Sequence, residues 1–129
     1  DFAAILERYG VVEVVHMSMY RPPPKGARAR KKRSQHEAGL AIDVGAFVRG
    51  DGARLVVEKD WHGAIGAKTC GEDAQPARVS SESMALRGIL CSAADARIFQ
   101  LLLTPNHDAR HFNHFHLEVV RNATWFILK

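Results

Sequence analysis

The sequence predicts an α+β domain in which a small antiparallel β-sheet carries helices on one face and leaves the other face open for a site. Three observations lead there. Apolar residues recur at helical spacing near the start of the chain and again past its middle, while β-branched or alternating stretches occupy the segments around them. With 129 residues, 47% of them hydrophobic and 25% charged, the chain holds enough apolar mass for one core and too little for two. The whole of 1–129 therefore reads as a single domain.

Each element has its own signal. Phe2, Ile5, Leu6 and Tyr9 fall on one helical face, Asp1 is placed to cap that helix, and Gly10 ends it. "VVEVVHM", Val11 to Met17, is β-branched enough for a buried strand, and the proline run Pro22 to Pro24 forbids its continuation. Gly39 to Val48 reads as a strand, "RGDG" at Arg49 to Gly52 as a turn, and Leu55 to Glu58 as the returning strand of an antiparallel hairpin. Residues 60–80 show no period and read as irregular. Ser80 or Ser81 caps a helical stretch whose apolar positions (Met84, Leu86, Ile89, Leu90, Phe99, Leu102 and Leu103) suit one long or two short helices, and Pro105 stops it. "PNHDARHFN" is loop, His114 to Val120 alternates like a strand, and a further strand fits Thr124 to Leu128.

Charge is local. Seven of the 18 basic residues (Arg21, Lys25, Arg28, Arg30, Lys31, Lys32 and Arg33) lie between 21 and 33 with no acid among them, which leaves 11 basic against 14 acidic residues elsewhere, a net of −3. The plain reading of this basic loop is a solvated surface segment. Its functional reading is attraction to an anionic polymer, and the scarcity of aromatics to stack on bases argues against nucleic acid as that polymer. No apolar run reaches the roughly 18 residues of a membrane span, and "DFAAILERYG" lacks the blocks of a signal peptide, so no transmembrane segment is expected. Cys70 and Cys91 form neither a CxxC pair nor a four-ligand zinc set. A disulfide closing a loop of about 22 residues, worth on the order of 3 kcal/mol, and two separate buried thiols are both open on spacing alone.

Two stretches carry chemistry: "SQHEAGLAID", Ser34 to Asp43, and "HFNHFH", His111 to His116. On an extended strand Asp43 shares a face with Ala41, Gly45 and Phe47, so small residues flank its carboxylate and leave space above it. A lone buried aspartate costs several kcal/mol, and a divalent cation compensates it directly. His36, just before the strand, is within reach of folding back to about 4 Å from Asp43. On the later strand His114 and His116 share a face, while Glu118, about 13 Å along from His114, is expected to stay out of reach. Zinc takes imidazole nitrogen and carboxylate oxygen at about 2.0 to 2.2 Å, and catalytic sites use three protein ligands plus water. His36, Asp43 and His116 supply three. His114 then stands near the fourth position, ready to accept a proton from a water whose pKa the ion lowers toward about 7. HExxH is absent, which excludes the helical zincin arrangement. His16 and His62 read as structural, and Trp61 either lines the site or covers the sheet.

These residues resemble a known group. "SQHEAGLAID" is similar to the SxHxxGxAxD motif of the LAS-type (lysostaphin, D-Ala-D-Ala peptidase and hedgehog) zinc metallopeptidases, and "HFNHFHLE" to their HxH motif. Within that group the resemblance is greatest to the extensin-like C-terminal domain family, through "HMSMYR", "HEAGLAIDVGAF", Asp60-Trp61 and "LTPNHDARHFNHFHLE". It implies a hedgehog/DD-peptidase-like fold, Zn2+ held by His36, Asp43 and His116, and His114 as general base. It further implies that Ser34 and His111 contact substrate and that Arg21 polarises the scissile carbonyl or anchors the substrate. Many carboxypeptidases of the group place glutamate three residues before the last ligand; here Asn113 stands there, so the base falls to a histidine. The implied activity is zinc-dependent hydrolysis of D-amino-acid-containing peptide bonds in peptidoglycan, as a D,D-carboxypeptidase or endopeptidase, in a periplasmic or extracellular compartment. In that oxidising compartment Cys70 and Cys91 are expected to pair. The alternative is a non-catalytic zinc-containing module that binds the cell wall. A zinc nuclease, resting only on the basic loop, is a third reading, and no nucleic-acid partner is expected.

Overall fold

Asp1 begins the first helix as expected: its carboxylate accepts the Ala4 N–H at 2.9 Å, capping α1 (Phe2–Arg8). The computed structural model describes residues 1–18 and 40–129. Gly10, at φ +71°, makes the left-handed turn that a side chain would resist and sends the chain into β1 (Val11–Ser18). The chain resumes as β2 (Ala41–Arg49), turns into the short β3 (Arg54–Val56), and enters a single helical turn, α2 (Val57–Asp60). Glu58 was expected on the returning strand and instead lies in this turn. The Asp60 carboxylate accepts the Val56 N–H at 2.8 Å and so ends the strand early. The long helix α3 (Ser81–Asp95) opens on a capping box, with Ser80 and Ser83 each accepting the other's backbone N–H.

After α3 the structure departs from the sequence reading. Neither one long nor two short helices run to Leu103: the helix ends at Asp95, Arg97 adopts φ +54°, and Leu101–Leu103 form a strand, β4. Three consecutive leucines fit a helix and a strand equally by periodicity, and pairing with a neighbouring strand decides between them. A 3-10 turn at Ala109–His111 precedes β5 (Phe115–Glu118), and β6 (Ile127–Leu128) closes the described chain.

Among the described residues six strands form one sheet in the order β1-β2-β5-β4-β6, with β3 paired to β2 beyond the end of β5. It is mixed rather than wholly antiparallel, because β6 runs parallel to β4. The carbonyl of Gln100 and that of Leu102 accept the Ile127 and Lys129 N–H groups at 2.8 and 3.0 Å.

One face of the sheet is the core. Ile5 of α1 and Leu86, Ile89, Leu90 and Ala93 of α3 pack with Val44, Phe47, Leu102, Phe115 and Leu117 from the strands. The buried leucines, isoleucines and phenylalanines each contribute roughly 1.5–3 kcal/mol. Met84, counted with the helical stripe in the sequence, is exposed. Trp61 is in this core, edge-on to Phe115 at 5.2 Å between ring centroids, so it covers the sheet and does not line the site.

Phe47 also corrects an expectation. Strict alternation puts it on the same face as Asp43, yet it is fully buried in the core with Val44. The cause is a bulge: β1 advances one residue, from Val15 to His16, while its partner steps from Ala46 to Val44 and leaves Gly45 as the extra residue. A side chain at Gly45 would meet Met17 at 3.2 Å, and the carbonyl of Asn113 lies next, at 3.8 Å. Glycine there gives the Met17 side chain its room beside the bulge.

The irregular stretch after α2 is held at two points. Asn106, buried, accepts the Trp61 indole N–H and the Ala64 N–H, both at 3.0 Å, and so ties this stretch to the turn that leads into the histidines. Gly63 leaves no room for a Cβ against Asn106 and the Trp61 indole. Cys70 and Cys91 form a disulfide that anchors the middle of the stretch to α3. At a sequence separation of 21, the chain-entropy model gives the bond about 3 kcal/mol. The Cys70→Ser/Cys91→Ser double variant is therefore expected to lose about that much unfolding free energy in denaturant titrations, and the unmodified protein to lose it on reduction.

Candidate metal centre

Antiparallel pairing of β2 with β5 sets the centre. The register opposes Asp43 to His116 and, two residues further along, Ala41 to Glu118. All four lie on the face away from the helices, because Ile42 and Val44 with their partners Leu117 and Phe115 take the core face. Asp43 Oδ1 lies 3.0 Å from His116 Nδ1, and Glu118 Oε2 lies 2.8 Å from His116 Nε2.

Glu118 is the residue that the sequence reading set aside. Measured from His114 it is far, but it is the next same-face neighbour of His116, and the small Ala41 opposite leaves it room. The imidazole thus lies between two carboxylates. Burial works against its charged form, but hydrogen bonds to Asp43 and to Glu118 outweigh that, and His116 holds its proton more tightly than a free histidine.

His114 enters from the turn before β5. Its Nδ1 lies 2.8 Å from Asn113 Oδ1; the amide oxygen accepts, so Nδ1 carries a hydrogen, and in the neutral ring the lone pair is then on Nε2. That Nε2 lies 3.8 Å from Asp43 Oδ1. His111 stands behind, its ring 5.0 Å from His114 and 6.3 Å from His116. Asp108 fixes it, with Oδ1 at 2.6 Å from His111 Nδ1. The hydrogen bond from His111 holds the Asp108 carboxyl below the usual carboxylate range, burial opposing it weakly.

The structure thus brings Asp43, His114 and His116 together and places His111 beside them. Arg21, Ser34, His36 and the basic loop at 21–33 lie outside the described residues. Asp108, which orients His111, was not singled out from the sequence, and Asn113, noted there only for standing where a glutamate is usual, orients His114. Their signals were present: Asn113 adjoins the HxH, and Asp108 sits three residues before His111, where a side chain caps a helical turn.

Asp43 and His116 offer donors of the kind zinc takes, a carboxylate oxygen and an imidazole nitrogen. Two ligands of a tetrahedral ion at 2.0 to 2.2 Å stand about 3.3 to 3.6 Å apart. Asp43 Oδ1 and His116 Nδ1, at 3.0 Å, must open by roughly 0.3 to 0.6 Å to share one ion, and His114 Nε2, 3.8 Å from the same carboxylate oxygen, stands beside them. If His116 gives Nδ1 to a metal, Glu118 holds the opposite Nε2–H, the carboxylate–histidine pairing that orients a ligand. Glu118→Gln preserves an acceptor but removes the charge, and is expected to weaken zinc binding by roughly 10- to 100-fold in a competition titration.

Comparison with known proteins bears on the whole of this architecture. No curated protein and no solved structure matches the chain. The family model described as the extensin-like protein C-terminus matches residues 2–127. Because that match runs from α1 into β6 and through both strands that carry the centre, the chain belongs to the extensin-like C-terminal family.

Proposed function

We propose that the protein hydrolyses D-amino-acid-containing peptide bonds of peptidoglycan with a zinc ion held by Asp43 and His116 together with His36. The observation that carries this reading is the convergence of Asp43 Oδ1, His116 Nδ1 and His114 Nε2 on one face of the sheet. The motifs "SQHEAGLAID" and "HFNHFHLE", which resemble those of LAS-type metallopeptidases, support it. So does the disulfide, which is at home in an oxidising, extracytoplasmic compartment.

Zinc, when bound, supplies Lewis acidity toward the scissile carbonyl and acidity to water. The chain supplies the rest. His114, fixed by Asn113 with Nε2 toward Asp43, accepts a proton as water adds to the carbonyl carbon. It returns the proton to the nitrogen as the C–N bond breaks, which leaves a carboxylate and a free amine. His111, steadied by Asp108, is placed to hydrogen-bond substrate. Arg21 and Ser34 take their roles from the resemblance: Arg21 polarises the carbonyl or anchors the substrate, and Ser34 hydrogen-bonds it.

The test is amine release from muropeptides of several cross-link types by zinc-loaded protein, and its loss with a chelator. His114→Ala is expected to retain zinc and to lower kcat by roughly 10²- to 10⁴-fold, the usual range for a general base. His116→Ala is expected to lose the metal itself. Zinc binding without amine release from any muropeptide would reject catalysis in favour of a wall-binding module.

A further inference from the structure

A second group of donors lies beyond the Asp43–His116 pair, on the turn that leads into β5. His107, Asp108 and His111 each offer one ligand atom, and the three atoms lie within 4.8 Å of one another. Asp108 is central to the group: its Oδ1 is 2.6 Å from His111 Nδ1 and its Oδ2 is 3.5 Å from His107 Nε2. The carboxylate is oriented by the backbone as well, since Oδ1 accepts the N–H of Arg110 at 3.0 Å and that of His111 at 3.2 Å.

The spacing is close to what a metal needs. Ligands on one tetrahedral ion stand about 3.3 to 3.6 Å apart; His107 Nε2 already meets that distance to Asp108 Oδ2, while His111 faces the other oxygen, Oδ1, and must open by roughly 0.7 to 1 Å, so the carboxylate turns or chelates to serve both rings on one ion. All three side chains are partly open to solvent, so an ion can enter and water can complete its shell. Two imidazoles and one carboxylate favour zinc, copper(II) or nickel over magnesium or calcium.

We infer that His107, Asp108 and His111 form a second transition-metal site beside the Asp43–His116 centre. The site shares no ligand with that centre, although the His111 ring is 5.0 Å from His114. A metal bound there occupies a ring nitrogen of His111 and competes with the substrate contact given to that residue above; this consequence, and the equivalent of zinc assigned below to Asp43, rest on the proposed function.

The full chain, stripped of metal, is titrated with zinc against a chromophoric chelator. Two equivalents are expected. His107→Ala and Asp108→Asn should each remove one of them, and Asn at 108 keeps the oxygen that caps the turn, so the second variant guards against misfolding. Asp43→Asn should remove the other. A stoichiometry that neither His107→Ala nor Asp108→Asn changes overturns the inference. A single equivalent lost in Asp43→Asn and kept in His107→Ala overturns it while sparing the proposed function. A single equivalent lost in His107→Ala and kept in Asp43→Asn supports it and removes the zinc centre on which the proposed function depends.

Discussion

The cross-strand pairing of Asp43 with His116 is the constraint on which the rest of the structure depends. An antiparallel ladder fixes which residues oppose one another, and a shift of one position would send Asp43 to the core face and bring a leucine or phenylalanine to the centre. The core itself enforces the register. Val44 opposite Phe115 and Ile42 opposite Leu117 bury their side chains against the helices, so the polar residues between them have one face left to occupy. Hydrophobic burial thus positions the charged groups, which by themselves would favour solvent.

The bulge at Gly45 lets one strand serve both demands. Upstream of it, alternation delivers Asp43 to the open face; downstream, the lost parity returns Phe47 to the core, where it packs near Phe115 at 6.3 Å between centroids. Without the extra residue, Phe47 would stand on the open face with Asp43. The bulge separates a segment built for chemistry from one built for stability, within nine residues of strand.

Around this sheet, the histidine-bearing turn is held by polar contacts more than by apolar packing. Asn106 joins the stretch after α2 to the start of the turn, Asp108 caps its 3-10 segment, and Asn113 sets the tautomer of His114. Asp108 and Asn113 each hydrogen-bond an imidazole directly, while Asn106 binds Trp61 and Ala64. The arrangement is pre-organised by short-range contacts, while the disulfide limits how far the adjoining stretch departs from α3. Burial of polar Asn106 and Thr104 is tolerated because Asn106 accepts two N–H groups and Thr104 Oγ1 accepts the Asn106 N–H.

By itself the sequence determined the α+β class, the first helix with its Asp1 cap, the hairpin, the start of the long helix at Ser80, and the gathering of Asp43, His114 and His116. Those features are legible because they rest on local periodicity, capping chemistry and residue spacing. Only the tertiary structure decided that Leu101–Leu103 form a strand, that β6 runs parallel to β4, that Phe47 leaves the face of Asp43, and that Glu118 reaches His116. Each of those outcomes depends on a partner distant along the chain or on a bulge that breaks alternation. The free energy that settles them comes from pairing and burial between segments, which no window of neighbouring residues contains.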